Sequence, residues 1–499
     1  MGRHQVVAVR SSRETSEEYP PGEDPRRWRA LVVTLAGGFM MLLDVSIVTV
    51  AVPAIQEGLG ASAAGVQWVV SGYPLTFGLA LVAGGRLGDA FGRRRMYLVA
   101  LSGFVLASVF AGLAPTLTLL IVARLLQGLV AGLVTPQNGG LIQDLFRGPE
   151  RGRAFGLLGA TIGVSTAAGP VIGGLILDLF GEPDGWRWVF LVNLPFGLLT
   201  VVLAVLLVPP TPRRSVRSDI DGVGMVLLGL AVLALMFPVV QSEAGGIGRF
   251  WWLFVVAVPL GYAFLRWERR RVAGGRVPLV DMRLFTTPGY RSGATLAAVY
   301  FCGFSGIWLV FAVFFQTGLG FSPLESGLAV TPFALGSAVS SWRAGRLVER
   351  WGRRLTIAGL ATVATGLAAT GVVGLLVEPA WVPLAMVVPM LVAGVGGGAV
   401  ISPNTTITLS RVPTTMSGVA SGVLQTGQRM GAAVGSAALA AIFYATIGVS
   451  GRYPLGLAVA LFGAVVLILV ALVLAVVENR VNAGNKSLEN YPTHPIASG

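Results

Sequence analysis

Histidine and cysteine are nearly missing from this chain, and charge of either sign is scarce. The two histidines, His4 and His494, lie in polar terminal stretches, so the apolar body holds no imidazole for a metal site or a histidine base. The single cysteine, Cys302, excludes an intrachain disulfide and, set in an apolar run, reads as a small packing residue. Charged residues make up 12% of the 499, against roughly 25% in soluble domains, which excludes an ordinary water-soluble globule. Lysine is reduced to Lys486, so the net charge of +13 is almost wholly arginine.

What is present is apolar. Hydrophobic residues account for 54% of the chain and mean hydropathy is +0.76, the composition of an integral membrane protein. A helix needs about 20 apolar residues to cross the hydrocarbon layer, and about fourteen runs meet that length. Six lie near 30–52, 67–88, 96–114, 116–138, 153–177 and 187–208, two near 220–241 and 250–267, and six near 291–316, 324–345, 355–377, 381–403, 416–444 and 454–477. Residues 1–29 mix arginine with acids and contain no short apolar stretch, so they read as a disordered tail and not as a signal peptide.

Arginine placement orients the spans, because cytoplasmic loops retain positive charge. With both termini inside, the loops carrying Arg93 to Arg95, Arg147 to Arg153, Arg213 to Arg217, Arg266 to Arg291 and Arg346 to Arg354 all become cytoplasmic. Only Arg187, Arg249 and Arg452 then fall outside. The excess charge is thus a topology signal, and no nucleic-acid partner is needed to explain it.

A phrase recurs: GRLGDAFGRRR at 85–95 and GRLVERWGRRL at 345–355. Each copy follows the second span of a block of six, and TPQN at 135–138 echoes SPNT at 402–405 in nearly the same register. Matches at one offset indicate parallel repeats. The expected organisation is a tail (1–29), an N-terminal six-helix bundle (30–208), two inserted helices with cytoplasmic linkers (209–290), a C-terminal six-helix bundle (291–477) and a second cytoplasmic tail (478–499).

Asp44 is the one acid set well inside a span, about 21 Å from the inner end of its helix at 1.5 Å per residue. Arg124, entering from the other side, reaches the same depth about 12 Å from the outer surface. The two are expected to pair or to alternate as partners. A carboxylate held between desolvation and a cation can exchange a proton as the surrounding cavity opens to one side and then the other; a permanent brace between the two helices is the alternative. Asp44→Asn is expected to leave the protein folded and to abolish proton-driven transport. Met40 and Met41, on the same face as Asp44, supply adaptable thioethers, and Gln127, Gln137, Asn138, Asn193, Gln316, Asn404, Gln425 and Gln428 supply uncharged hydrogen-bonding groups for a cavity or for helix-to-helix bonds. Arg429 is a second cation within a span, with no partner evident from sequence.

In the first copy of the repeated phrase, Gly85 and Gly92 allow close helix approach, Asp89 can accept from amides at a helix N-terminus, and Arg93 can pair with it. The fifth span carries small residues at helical spacing, among them Gly163, Gly169 and Gly173, with Pro170 expected to bend it.

The chain resembles the major facilitator superfamily and, more narrowly, its fourteen-span drug/proton antiporters. The resemblance rests on LDVSIVTVAVP (43–53), GRLGDAFGRRR (85–95), LIVARLLQGLVAG (120–132), GLLGATIGVSTAAGPVIGG (156–174) and WRWVFLVNLP (186–195). It implies an all-α membrane fold of two six-helix bundles plus two extra helices. It further implies proton-coupled export of amphiphilic small molecules across the plasma membrane, a charged cytoplasmic latch at Asp89, and no cofactor. A single chain with both halves completes a cavity as a monomer, with small-molecule substrate, protons and lipid as its partners. An exporter dedicated to one endogenous metabolite is a second reading. A membrane-embedded transferase lacks any catalytic constellation, and a non-transporting receptor would fold identically.

Overall fold

The computed structural model describes residues 26–181, 184–210, 220–241 and 246–489; His4, His494 and both chain ends lie outside this set. Among the described residues there is no strand. A chain surrounded by lipid must satisfy every backbone amide internally, and helices do so segment by segment.

The first half comprises α1 (Arg27–Leu59), α2 (Ala63–Phe91), α3 (Arg93–Gly112), α4 (Leu117–Leu145), α5 (Gly148–Phe180), and the consecutive α6 (Gly185–Leu191) and α7 (Asn193–Leu207), which form one crossing. Next come α8 (Gly222–Val240), the short α9 (Gly246–Phe250) and α10 (Trp252–Ala273). The second half comprises α11 (Tyr290–Val313), α12 (Pro323–Trp351), α13 (Arg353–Leu376), α14 (Val382–Ser410), α15 (Ser417–Ser450) and α16 (Tyr453–Glu489). By length and composition, 11 of these segments can cross a membrane. Three more helices, α5, α10 and α12, have 33, 22 and 29 residues. Helix α5 carries the uncharged, apolar run 157–174, and the other two are more polar for local reasons. The last turns of α10 hold Arg266, Glu268 and Arg269, while α12 is rich in serine and glycine and, like α5, faces protein.

Local chemistry sets the ends. Ser62 accepts from the Gly65 amide to start α2, Thr116 does the same for α4, and Ser322 with Glu325 forms a reciprocal capping box on α12. Gly92 (φ 92°) and Gly352 (φ 52°) stand at matching places in the two copies of the repeated phrase, where α2 turns into α3 and α12 into α13; only glycine adopts these angles without strain. Two boundaries differ from expectation. Helix α1 already includes residues 27–29, and α16 runs on past residue 477 to Glu489, since nothing between Val477 and Gly484 interrupts backbone bonding.

The internal repeat is visible in packing. In the first half α2 lies against α4, α3 against α4 and α7, and α1 against α5; in the second, α12 lies against α14, α13 against α14 and α16, and α11 against α15. One core is drawn wholly from α11 to α16, centred on Tyr300, Phe311, Phe333 and Leu367. Two others come wholly from α1 to α7, around Phe104 and Trp186. The halves meet along α5 with α12 and α2 with α15. Helix α8 packs on both α2 and α15, and α10 packs on α8. The α8–α10 pair is tied at its base, where Asp221 accepts from the Gly224 amide and the Trp267 indole and pairs with Arg271 at 3.4 Å.

Candidate functional site

Between the halves lies a cavity of about 780 Å³. Its floor is near Asn138, Gly139 and Ser421; from there it rises past Tyr73 and Phe77 to Thr49, Pro53, Gln316 and Ser326, at the end opposite the arginine-rich loops. One wall is aromatic. Phe301, Phe304 and Trp308 project from α11, Trp308 meeting Phe333 edge-on with ring centroids 5.1 Å apart. This stripe, spaced three and four residues apart, could have been read from the sequence as a lining face and was missed.

Of the ten residues offered for a cavity, Met41, Asn138, Gln316, Gln425 and Gln428 line it. The other five do not. Met40 is buried in the first-half core. Gln127 donates to Ser108 Oγ at 2.7 Å, and Asn193 donates to Asp44 at 2.8 Å. Gln137 donates to the Gly84 and Leu133 carbonyls at 2.7 and 2.8 Å. Asn404 accepts from Arg353 at 2.5 Å and donates to the Gly293 carbonyl. The physical reason is common to the four amides: deep in a bundle, an amide with a backbone carbonyl or charged group in reach stays there and joins helices.

Asp44 is also removed from the cavity. Its carboxylate, fully enclosed within the first half, accepts from Arg124 at 2.5 Å and from Asn193 at 2.8 Å. Arg124 in turn donates to the Val69 carbonyl at 2.9 Å and to Gln127 at 3.0 Å. The wall between this pair and the cavity is Tyr73, a residue that sequence reasoning did not single out. Its ring lies 4.5 Å from the Arg124 guanidinium and its hydroxyl donates to the Met41 carbonyl. Both Tyr73 and Met41 line the cavity, so one side chain's thickness separates the ion pair from it.

At the arginine-rich end the halves are locked together. Asp89 accepts from the amides of Gly418 and Val419, at 3.2 and 3.1 Å, capping the N-terminus of α15 in the other half. Arg93 pairs with Asp89 at 2.9 Å and Asp144 at 2.5 Å, and donates to Ser417 Oγ and the Thr414 and Gly140 carbonyls. A Cβ on Gly85 would stand 2.3 Å from the Gly418 carbonyl oxygen, so the absence of a side chain is what permits this closure. The second copy is built differently. Glu349 is exposed, and Arg353 turns inward to Asn404 and to Glu478 at 2.8 Å. There the halves close through glycine, with Gly152 against Gly345.

Helix α5 serves two neighbours in succession. Gly159 and Gly163 face Ser341 and Ala334 of α12, while Gly169 and Gly173 face Ser46 and Ile47 of α1. Pro170 falls within the unbroken helix, its side chain outside the described set. Arg429 of α15 lines the cavity, with its guanidinium carbon 4.6 Å from the Phe77 ring of α2.

Comparison with known proteins places this geometry in context. The model of the Major Facilitator Superfamily matches residues 34–222 and 293–498. The probable actinorhodin transporter of Streptomyces coelicolor is 39% identical over 438 residues, which cover 85% of this chain and 73% of that protein. The puromycin resistance protein pur8 of Streptomyces alboniger is 35% identical over 426 residues, covering 84% and 82%. Among solved structures, the human organic anion transporter MFSD10 superposes with a TM-score of 0.67 at 15% identity, over 91% of this chain and 100% of that one, a likeness of fold alone.

Proposed function

The chain belongs to the major facilitator superfamily of membrane transporters, and from that premise we propose that it exports amphiphilic small molecules across the plasma membrane by alternating access, as a proton-coupled antiporter. The reading rests on the cavity between the halves, sealed at one end by the Asp89 cap on α15 and extending toward the other end. With the arginine-rich loops cytoplasmic, this arrangement is the outward-facing state. Its relatives named for export of, or resistance to, antibiotics support the direction of transport. Helices α5, α10 and α12 complete fourteen crossings, with both termini inside and a monomer sufficient for the cavity.

Asp44 is the proposed proton carrier. In the outward-facing state it is closed off by Tyr73, so exchange requires that wall to move, which ties protonation to conformation. A second reading has its own support: complete enclosure of Asp44 suits a permanent brace joining α1, α4 and α7. Efflux from dye-loaded proteoliposomes, driven by an imposed pH gradient, tests both. The proposal expects the gradient to accelerate efflux and Asp44→Asn to remove the acceleration. Efflux indifferent to the gradient refutes the coupling, and coupling retained in Asp44→Asn assigns the aspartate to the brace.

A further inference from the structure

The cavity carries one charge. Among its described lining residues Arg429 is the sole ionisable cation, and no aspartate or glutamate is present. Arg429 lies 12 residues into α15, about 18 Å from the helix start and so near mid-membrane. A guanidinium at that depth ordinarily faces a carboxylate or a set of carbonyls. Arg124 has both; among the described residues Arg429 has neither, and it lies over the face of Phe77 near Tyr73. Beside it on α15, Gln425 and Gln428 present amides to the cavity, and on the floor Asn138 has an Oδ1 with no hydrogen-bond partner.

We propose that Arg429 selects the substrate's charge: the cavity accepts planar aromatic molecules bearing an acidic group, a carboxylate or ionised phenol, and disfavours organic cations. The inference deepens the exporter reading and rests on it only for transport. The planar guanidinium supplies a fork of N–H donors that matches a carboxylate, and in a site of low dielectric such a bond is strong. The ring system of the ligand has Phe301, Phe304 and Trp308 to stack upon, opposite Tyr73 and Phe77. A cation in the same place meets Arg429 with no acid to offset the repulsion. Arg429 also bridges the halves, since it stands on α15 and its ring partner on α2, so an anion bound to it draws on both.

Two xanthene dyes of nearly equal size separate the charge from the ring system: anionic fluorescein and cationic rhodamine 123. Binding is read by fluorescence anisotropy on the full chain purified in detergent, and transport by efflux from proteoliposomes loaded with each dye. The wild type is expected to bind fluorescein more tightly. Arg429→Gln is expected to weaken fluorescein binding roughly ten- to hundredfold, with little loss or a gain for rhodamine 123. Arg429→Lys should recover part of the preference, because charge survives without the fork. A wild type that binds rhodamine 123 as tightly, or binds neither dye, overturns the proposal, as does an unchanged ratio of affinities in a monodisperse Arg429→Gln protein. Selective binding of fluorescein without efflux sinks the exporter reading and leaves this one standing.

Discussion

Replacing Asp89 by asparagine tests the latch most directly. The carboxylate is 3% exposed, pairs with Arg93 at 2.9 Å, and caps α15 through the amides of Gly418 and Val419. Asparagine keeps one acceptor oxygen, so it can hold one of those amides but loses the charge. Arg93 is not stranded, because Asp144 remains 2.5 Å away. The loss is therefore that of a charge-assisted interaction and not of a whole buried ion pair, about 2 kcal/mol. These amide contacts exist only while the halves are closed at the arginine-rich end, so the same energy shifts the balance between states by about thirtyfold. An inward-open population of about 1% would rise to about a quarter. The assay is a spin-label distance measurement between Arg95→Cys and Thr415→Cys, two exposed positions on either side of the junction, in a Cys302→Ser background. Wild type should give one dominant short distance and Asp89→Asn a second, longer one. Asp89→Glu, which keeps the charge on a longer arm, should fall between. An unchanged distance distribution in a well-folded Asp89→Asn protein would refute the claim that this contact sets the closed state.

Other outcomes follow from the same geometry. Asp44→Asn leaves the buried Arg124 guanidinium without its counter-charge, a loss of about 3 kcal/mol in thermal stability, whereas Asp44→Asn with Arg124→Gln should be less destabilised than either single change predicts by addition; melting curves of all four proteins give the cycle. Additive effects would mean that the pair is not energetically coupled. Gly435→Ala places a Cβ 1.7 Å from the Cys302 carbonyl oxygen, which must push α11 and α15 apart and strongly reduce folded yield. Gly174→Ala, in open space on α5, should instead be neutral or add up to about 1 kcal/mol, and equal behaviour of the two variants in size-exclusion profiles after heating would contradict the packing described.

The helical fold and the level of a residue along its helix were legible in the sequence; rotation was not. A helix advances 1.5 Å per residue, so counting from a helix end placed Asp44 and Arg124 at one level, and in the structure they are bonded. The glycines and the acid of GRLGDAFGRRR were legible for a similar reason, since a charged, small-residue turn repeated after each second span has few uses. Which way a side chain points about its helix is another matter. Helices α1 and α4 are apolar on every side, so no amphipathic face tells the cavity from the bundle interior. Gln137 and Asn138 are neighbours in sequence; one bonds the Gly84 carbonyl and the other faces the cavity, a difference of a 100° turn that composition does not record. Asp44 shows the same limit. It meets Arg124 at one level, yet Met41 and Val45 beside it took the cavity face, and the neighbours Tyr73, Gln127 and Asn193 explain why the carboxylate turned inward. For Arg429 the rotation settles the chemistry: had it turned toward α11 it would be an unpaired cation among apolar side chains, so its place on the cavity wall, where water or an anionic ligand can reach it, is the arrangement of lower energy.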